Sequence, residues 1–305
     1  MRLSHLVVSL AAVTAAVFAP AAGATLKVLA CEPEWGALMH ELAGDRASVY
    51  VATTALQDPH RIQAKPSLIA SARSADLVVC TGAELEIGWL PVLLRQSGNS
   101  AVQPGQPGNF EAAAYVTKLE IPTRLDRAEG DVHAAGNPHI QTDARNFIPI
   151  ADALAKRLAD LDRNNAAFYA SRHDDFMRRW RAAIERWQTQ AAPLRGDPIV
   201  VQHKAFPYLE QWLGLVEVAT LEPKPGVEPT TGSLTEVLGQ LQQKPAKMIL
   251  RAAYNDGRSS EWLAERAKVP VVVLPFTVGG SEKARDLFGL FDDTIARLLA
   301  VRAGQ

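Results

Sequence analysis

A chain of 305 residues, 48% hydrophobic and 21% charged, is globular in composition and long enough for two ordinary domains. Its formal net charge of −1 provides no basic surface, so neither a nucleic acid nor an anionic membrane surface is an expected partner.

The chain opens on Arg2, runs almost wholly apolar from residue 6 to 18, breaks at Pro20 and reaches Ala22-Gly23-Ala24. A positive start, a short apolar core and a small-x-small end are the marks of a cleaved secretory signal. The run is shorter than the roughly 20 residues that span a bilayer. Residues 1–24 are therefore set aside as signal peptide, and the remainder is expected to be soluble in an oxidising compartment. Val28-Leu29-Ala30-Cys31 loosely resembles a lipidation box, but Lys27 and the early end of the apolar core argue against that reading.

Strand-like and helix-like segments then alternate. Residues 26–30 read as a strand, 34–42 as a helix closed by Gly44, and 48–53 as an alternating, β-branched strand. A helix over 66–73, a strand over 76–79 and a helix over 86–95 follow, then a loop rich in Pro, Gly, Asn and Ser over 97–109. From 165 to 194 there is no glycine. Phe168, Phe176, Trp180, Ile184 and Trp187 recur there at helical spacing among arginines and aspartates, which predicts one long amphipathic helix. Beyond it, strands over 198–202, 216–221, 247–250 and 269–274 alternate with helices over 206–212, 234–241, 261–268 and 284–301. The expected fold is α/β: two lobes, each a mostly parallel sheet flanked by helices, over 25–164 and 195–305, joined by the helix over 165–194. A continuous helix between lobes limits hinge motion.

Cys31 and Cys80 both follow strand-like runs. If those strands are neighbours, the thiols share one sheet edge and export favours a disulfide; otherwise they are two buried thiols that never meet.

Of seven histidines, His5 falls in the signal, and His40 and His173 lie in helical patterns. His60 in Asp58-Pro59-His60, His139 in Asn137-Pro138-His139 and His203 after an apolar strand stand instead at strand-to-helix junctions. Ligands of parallel sheets gather at such junctions. Proline before His60 and His139 stiffens the backbone that presents each imidazole. His60 and His139 would come from the first lobe and His203 from the second, with a metal between them. Histidines so dispersed lack the fixed spacing of a zinc finger, and spacing alone is weak evidence.

Larger motifs carry more weight. Asp58-Pro59-His60, Lys65-Pro66-Ser67, Ala75-Asp76-Leu77-Val78-Val79, Gly82 and Leu85-Glu86 resemble the zinc- and manganese-specific solute-binding proteins of bacterial ABC importers. Gly136-Asn137-Pro138-His139 and His203-Lys204-Ala205-Phe206-Pro207-Tyr208 are similar to that family's next two signatures, and Glu222-Pro223, Pro225-Gly226 and Glu228-Pro229 to a further one. The resemblance runs from about residue 26 to the C-terminus. It implies a periplasmic monomer that binds one divalent metal at His60, His139 and His203 and docks to an ABC importer permease in the inner membrane.

One departure bears on the metal. The family usually places an acidic fourth ligand just before a proline after the last strand, and here Leu274 precedes Pro275. Unless Asp58, Glu228 or a loop acid such as Asp256 moves in, the fourth position falls to water or stays open. Three imidazoles suit zinc, whereas manganese prefers carboxylate oxygen, so Zn²⁺ is expected over Mn²⁺. Affinity should fall as protons compete for the imidazoles near pH 6.5. A second departure is the short loop 125–135, with Asp126, Glu129, Asp131 and His133 where many zinc members carry a histidine-rich run; His133 is not assigned to the site.

Three rival functions follow from the same residues. A zinc hydrolase would also use three histidines and an open position, but needs a base beside the bound water, and no HExxH is present. A binding protein for an organic solute would need no proline-set histidines. A thiol redox factor would need closer cysteines.

Overall fold

The computed structural model describes residues 25–124, 130 and 132–304. The signal expected over 1–24 and the acids Asp126, Glu129 and Asp131 lie outside the described residues.

The first sheet holds β1 (Leu26–Ala30), β2 (Ala47–Val51), β3 (Leu77–Cys80) and β4 (Asn109–Glu111), in the order β2-β1-β3-β4. The second holds β5 (Pro198–Val201), β6 (Val216–Thr220), β7 (Met248–Ala252) and β8 (Val271–Leu274), in the order β6-β5-β7-β8. Every pairing is parallel. Central strands of such sheets are covered on both faces, which is why β3 reads as an unbroken apolar run and is buried throughout. In both sheets the chain steps one way from the first strand and then returns to its other side. That reversal opens a crevice at the carboxyl ends of β1 and β3, and again at those of β5 and β7.

Helices α1 (Pro33–Ala43), α2 (Pro66–Ser74), α3 (Leu90–Ser97) and α4 (Phe147–Leu161) cover the first sheet, and α5 (Ala166–Ala191) follows. Helices α6 (Pro207–Leu213), α7 (Thr231–Gln243), α8 (Arg258–Ala267) and α9 (Leu287–Ala303) belong to the second half. At 26 residues α5 is about 39 Å long. Its inward face carries Tyr169, Phe176, Trp180 and Trp187, all buried. Trp180 packs on Phe147 of α4 and on Phe291 of α9. One apolar core thus runs from Leu26 and Trp35 in the first lobe, through α5, to Leu250 and Leu298 in the second.

Three local expectations needed revision. The helix expected from residue 86 begins at Leu90, because Gly82, Ala83 and Glu84 take three successive left-handed conformations (φ 76°, 50° and 68°) and Pro91 fixes the first turn. The acceptors of the Thr81 and Gly82 N–H groups are oxygens of the buried Glu86 carboxylate, so that residue holds the turn. The expected loop over 97–109 ends in strand β4 at residue 109. Helix α4 went unread, although Phe147, Ile150, Ala151, Leu154 and Leu158 mark its buried face at helical spacing.

Cys31 and Cys80 are joined as a disulfide across the crevice end of β1 and β3. Glu86 lies within 4.8 Å of the sulfurs. Cys31 is therefore committed to Cys80, and the lipidation reading has no free thiol to act on. Among the described residues no helix is long and apolar enough to cross a membrane.

Candidate metal centre

The three singled-out histidines converge. His60 lies in the loop after β2, His139 before a short helical turn leading to α4, and His203 two residues beyond β5. Their ring nitrogens lie within 4.8 Å of one another, and no carboxylate among the described residues joins that group. Zinc bound about 2.0–2.1 Å from each nitrogen needs them roughly 3.3 Å apart, so small ring rotations suffice.

Two of the three imidazoles are built by the same local device. Asp58 Oδ1 accepts from the His60 backbone N–H at 3.0 Å and from ring Nδ1 at 2.7 Å. Asn137 Oδ1 does the same for His139, at 3.0 Å and 2.8 Å. Proline between the two residues sets the tight bend, so an Asx-Pro-His tripeptide folds its histidine onto its own first residue. The Asn137 amide is fully used: its Nδ2 donates to Glu120 Oε2 at 2.9 Å and to the Lys204 carbonyl at 2.8 Å. Its oxygen can therefore only accept, Nδ1 of His139 carries the proton, and Nε2 presents a lone pair. His203 reaches the same state differently. Its Nδ1 pairs at 2.7 Å with Glu222 Oε2, which also accepts from the Gly226 N–H.

Nε2 of both His60 and His139 is buried without a hydrogen-bond partner. Buried polar atoms are rarely left so, and unfilled lone pairs pointing at a common point are what a cation requires. Electrostatics agree. Burial first, and then the neighbouring His203, His60 and His133, hold the His139 imidazole well below its ordinary pKa of 6.5, in the neutral form a metal needs. Burial works against ionising Asp58, but the hydrogen bonds and charge of His60 outweigh it and hold the carboxyl below 3.8.

The two lobes are tied together at the site. Tyr208 of α6 donates to the Asn137 carbonyl at 2.7 Å and accepts from the Leu119 N–H at 3.0 Å. Trp89 Nε1 donates to the Pro59 carbonyl at 2.9 Å and fixes the His60 loop from the other side. A cavity of about 220 Å³ opens beside His139 and His203, lined also by Glu120, His133, Asn137 and Lys204. The His133 ring stacks on that of His60 with centroids 5.4 Å apart, which brings it to the edge of the site.

Leu274 is buried among apolar residues and lines a separate small cavity with Phe206, Leu290 and Phe291. Neither of the other acids fills its place. Asp256 pairs with Arg258, and Glu228 is exposed. Asp58, Asn137 and Glu222 all stand in the quoted motifs, but their role of holding the Nδ1 atoms of the three histidines escaped the sequence reading. For Asp58 and Asn137 the signal was present, two residues before each histidine; for Glu222 there was none locally, since it lies 19 residues from His203.

Residues 28–301 match the family described as zinc-uptake complex component A, periplasmic. The chain belongs to this family. Among its relatives, the manganese ABC transporter substrate-binding lipoprotein PsaA of Streptococcus mitis is 21% identical, over 87% of this chain and 84% of that one. The high-affinity zinc uptake system protein ZnuA of Paracoccus denitrificans is 24% identical, over 84% of each. The same two-lobe fold occurs in a crystal structure of ZnuA, with a TM-score of 0.72 at 21% identity over 92% of this chain and 97% of that one. A manganese-bound periplasmic metal-binding protein from candidatus Liberibacter asiaticus also shares it, with a TM-score of 0.72 at 17% identity over 90% and 98%. Family and relatives alike are substrate-binding components of metal uptake, not enzymes, and this sets the hydrolase reading aside.

Proposed function

We propose that this protein captures zinc in the periplasm at His60, His139 and His203 and delivers it, as a monomer, to an ABC-type permease in the inner membrane. One observation carries the reading: three imidazoles from three separate loops have their Nδ1 atoms tied down and their Nε2 atoms gathered, two of them buried without any other partner. That arrangement binds a cation. The relatives divide between zinc and manganese, and the donors favour zinc, because three neutral nitrogens with no carboxylate in the group suit a borderline metal.

The cavity beside Glu120 and Lys204 gives an ion a way in from solvent. Binding replaces hydration water by imidazoles already held in one tautomer, so little orientation remains to be lost. Release then requires the loops carrying His60 and His139 to shift, since the lobes share one core.

The test is metal content by mass spectrometry, with zinc and manganese competed at equal concentration. The expected result is one zinc per wild-type chain and none in a His60→Ala, His139→Ala, His203→Ala variant. Equal zinc in both would place the ion elsewhere, and preferential manganese loading would overturn the choice of metal.

A further inference from the structure

The turn that follows β8 is built unlike the rest of the site. Phe276 has φ 68°, a left-handed conformation that bulky side chains rarely adopt. The turn closes so tightly around it that a Cβ on Gly280 would stand 1.9 Å from the Pro275 carbonyl oxygen. Strain of this kind persists only where the surroundings impose it, and it gathers at functional sites. Here the surroundings include a bond across the lobes. The Thr277 hydroxyl donates to Glu34 Oε2, a carboxylate of α1 in the first lobe, and both side chains are buried.

The strained residue faces the metal ligands. The Phe276 ring packs edge-on against His139 with centroids 5.7 Å apart and against Tyr254 at 5.3 Å. Tyr254 in turn feels the charges of Asp58 and Glu222, the two carboxylates that hold His60 and His203. Phe276 therefore lies against His139 with Tyr254 packed on it, and neither ring lines the open cavity.

We propose that Phe276, seated by the Thr277–Glu34 hydrogen bond, is a specificity-determining wall that denies the captured ion an anionic oxygen or extra waters on its closed side. The inference rests on the metal-binding reading above and goes further by assigning the choice of ion to named residues. An ion content with three nitrogens and one small ligand fits within the wall; one that needs five or six oxygen-rich ligands does not. Thr277 acts at one remove, as a positioning residue, because it touches Phe276 and Glu34 and not the ion.

The experiment uses the full mature chain with zinc, manganese and cobalt chlorides in turn. Cobalt reports geometry directly, since four-coordinate cobalt absorbs visible light far more strongly than six-coordinate cobalt. Wild type is expected to give the intense spectrum. Phe276→Ala and Thr277→Val should weaken it and lower the zinc-to-manganese affinity ratio about tenfold, while Thr277→Ser, which keeps the donor, should restore both. Thr277→Val is nearly isosteric and carries the test if Phe276→Ala does not fold. Variants that bind with the wild-type spectrum and ratio overturn the wall but leave capture by the histidines standing. A wild-type chain that binds none of the three ions overturns the capture reading, and this inference with it.

Discussion

Two residues past the first strand of each sheet, the chain reaches the same address in the fold and does opposite things with it. In the second lobe that address is His203, two residues after Val201; in the first it is Glu32, two residues after Ala30. His203 turns a lone pair toward two other imidazoles, and its Nδ1 is held by a carboxylate from the neighbouring loop. Glu32 is buried beside Glu86 and Glu34, accepts one hydrogen bond from Thr81, and leaves Oε1 without a partner. Burial, then the charges of Glu86 and Glu34, push its carboxyl well above 4.5; burial lifts Glu34 and Glu86 to about 7. An unpartnered buried atom therefore has two meanings. Surrounded by neutral rings whose other nitrogens are tied, it is a lone pair suited to a cation. Surrounded by like charges, it is a place for a proton.

The largest way to break this comparison is to remove a ligand from one side. Structural zinc sites bind with about 10–16 kcal/mol, so losing one of three imidazoles in His139→Ala should cost roughly 3–5 kcal/mol, a weakening of about a hundred-fold to a few thousand-fold. A competition titration with a zinc chelator reads it. Next comes the covalent link beside Glu32. The disulfide spans 49 residues in sequence, and chain entropy puts its contribution at about 4 kcal/mol. Cys31→Ser with Cys80→Ser should lower the denaturation midpoint accordingly while zinc affinity stays within threefold. A large loss of affinity would show that the two addresses are coupled.

Smaller effects sharpen it. Asn137→Ala removes the acceptor that orients His139 and should weaken zinc 10- to 100-fold, whereas Asn137→Asp keeps the acceptor and should cost much less. Similar losses in both would shift the weight to the Asn137 amide and its bond to Lys204. The smallest effect is one of stability. A carboxyl whose folded pKa is raised stabilises the fold below its unfolded value near 4.5, and that stability is lost as pH rises through the folded value. Glu32→Gln should therefore raise the melting temperature by about 2–4 °C at pH 8 and leave it unchanged at pH 5. A gain at both pH values would point to packing instead of charge.

Much of this was legible in the sequence because it is local. Strand-like runs of four to six residues gave seven of the eight strands, the stripe from Phe176 to Trp187 gave α5, and proline before His60 and His139 marked two of the three histidines that converge. What escaped depends on contacts between distant residues. Glu222 finds His203 only after β5 and β6 pair. Phe276 meets His139 only when the lobes close, and no periodicity announces its left-handed turn. Helix α4 is a different case: the stretch went unread, and its Pro149 is a first-turn proline.

The core that runs unbroken through α5 governs when the protein can fold. Trp180 is sealed on one side by Phe147 and on the other by Phe288 and Phe291 of α9, within the last twenty described residues. A chain delivered from its N-terminus therefore holds its first lobe complete in sequence yet unsealed until the final helix arrives. The halves should melt in a single transition, and a truncation before residue 287 should leave neither half able to stand alone.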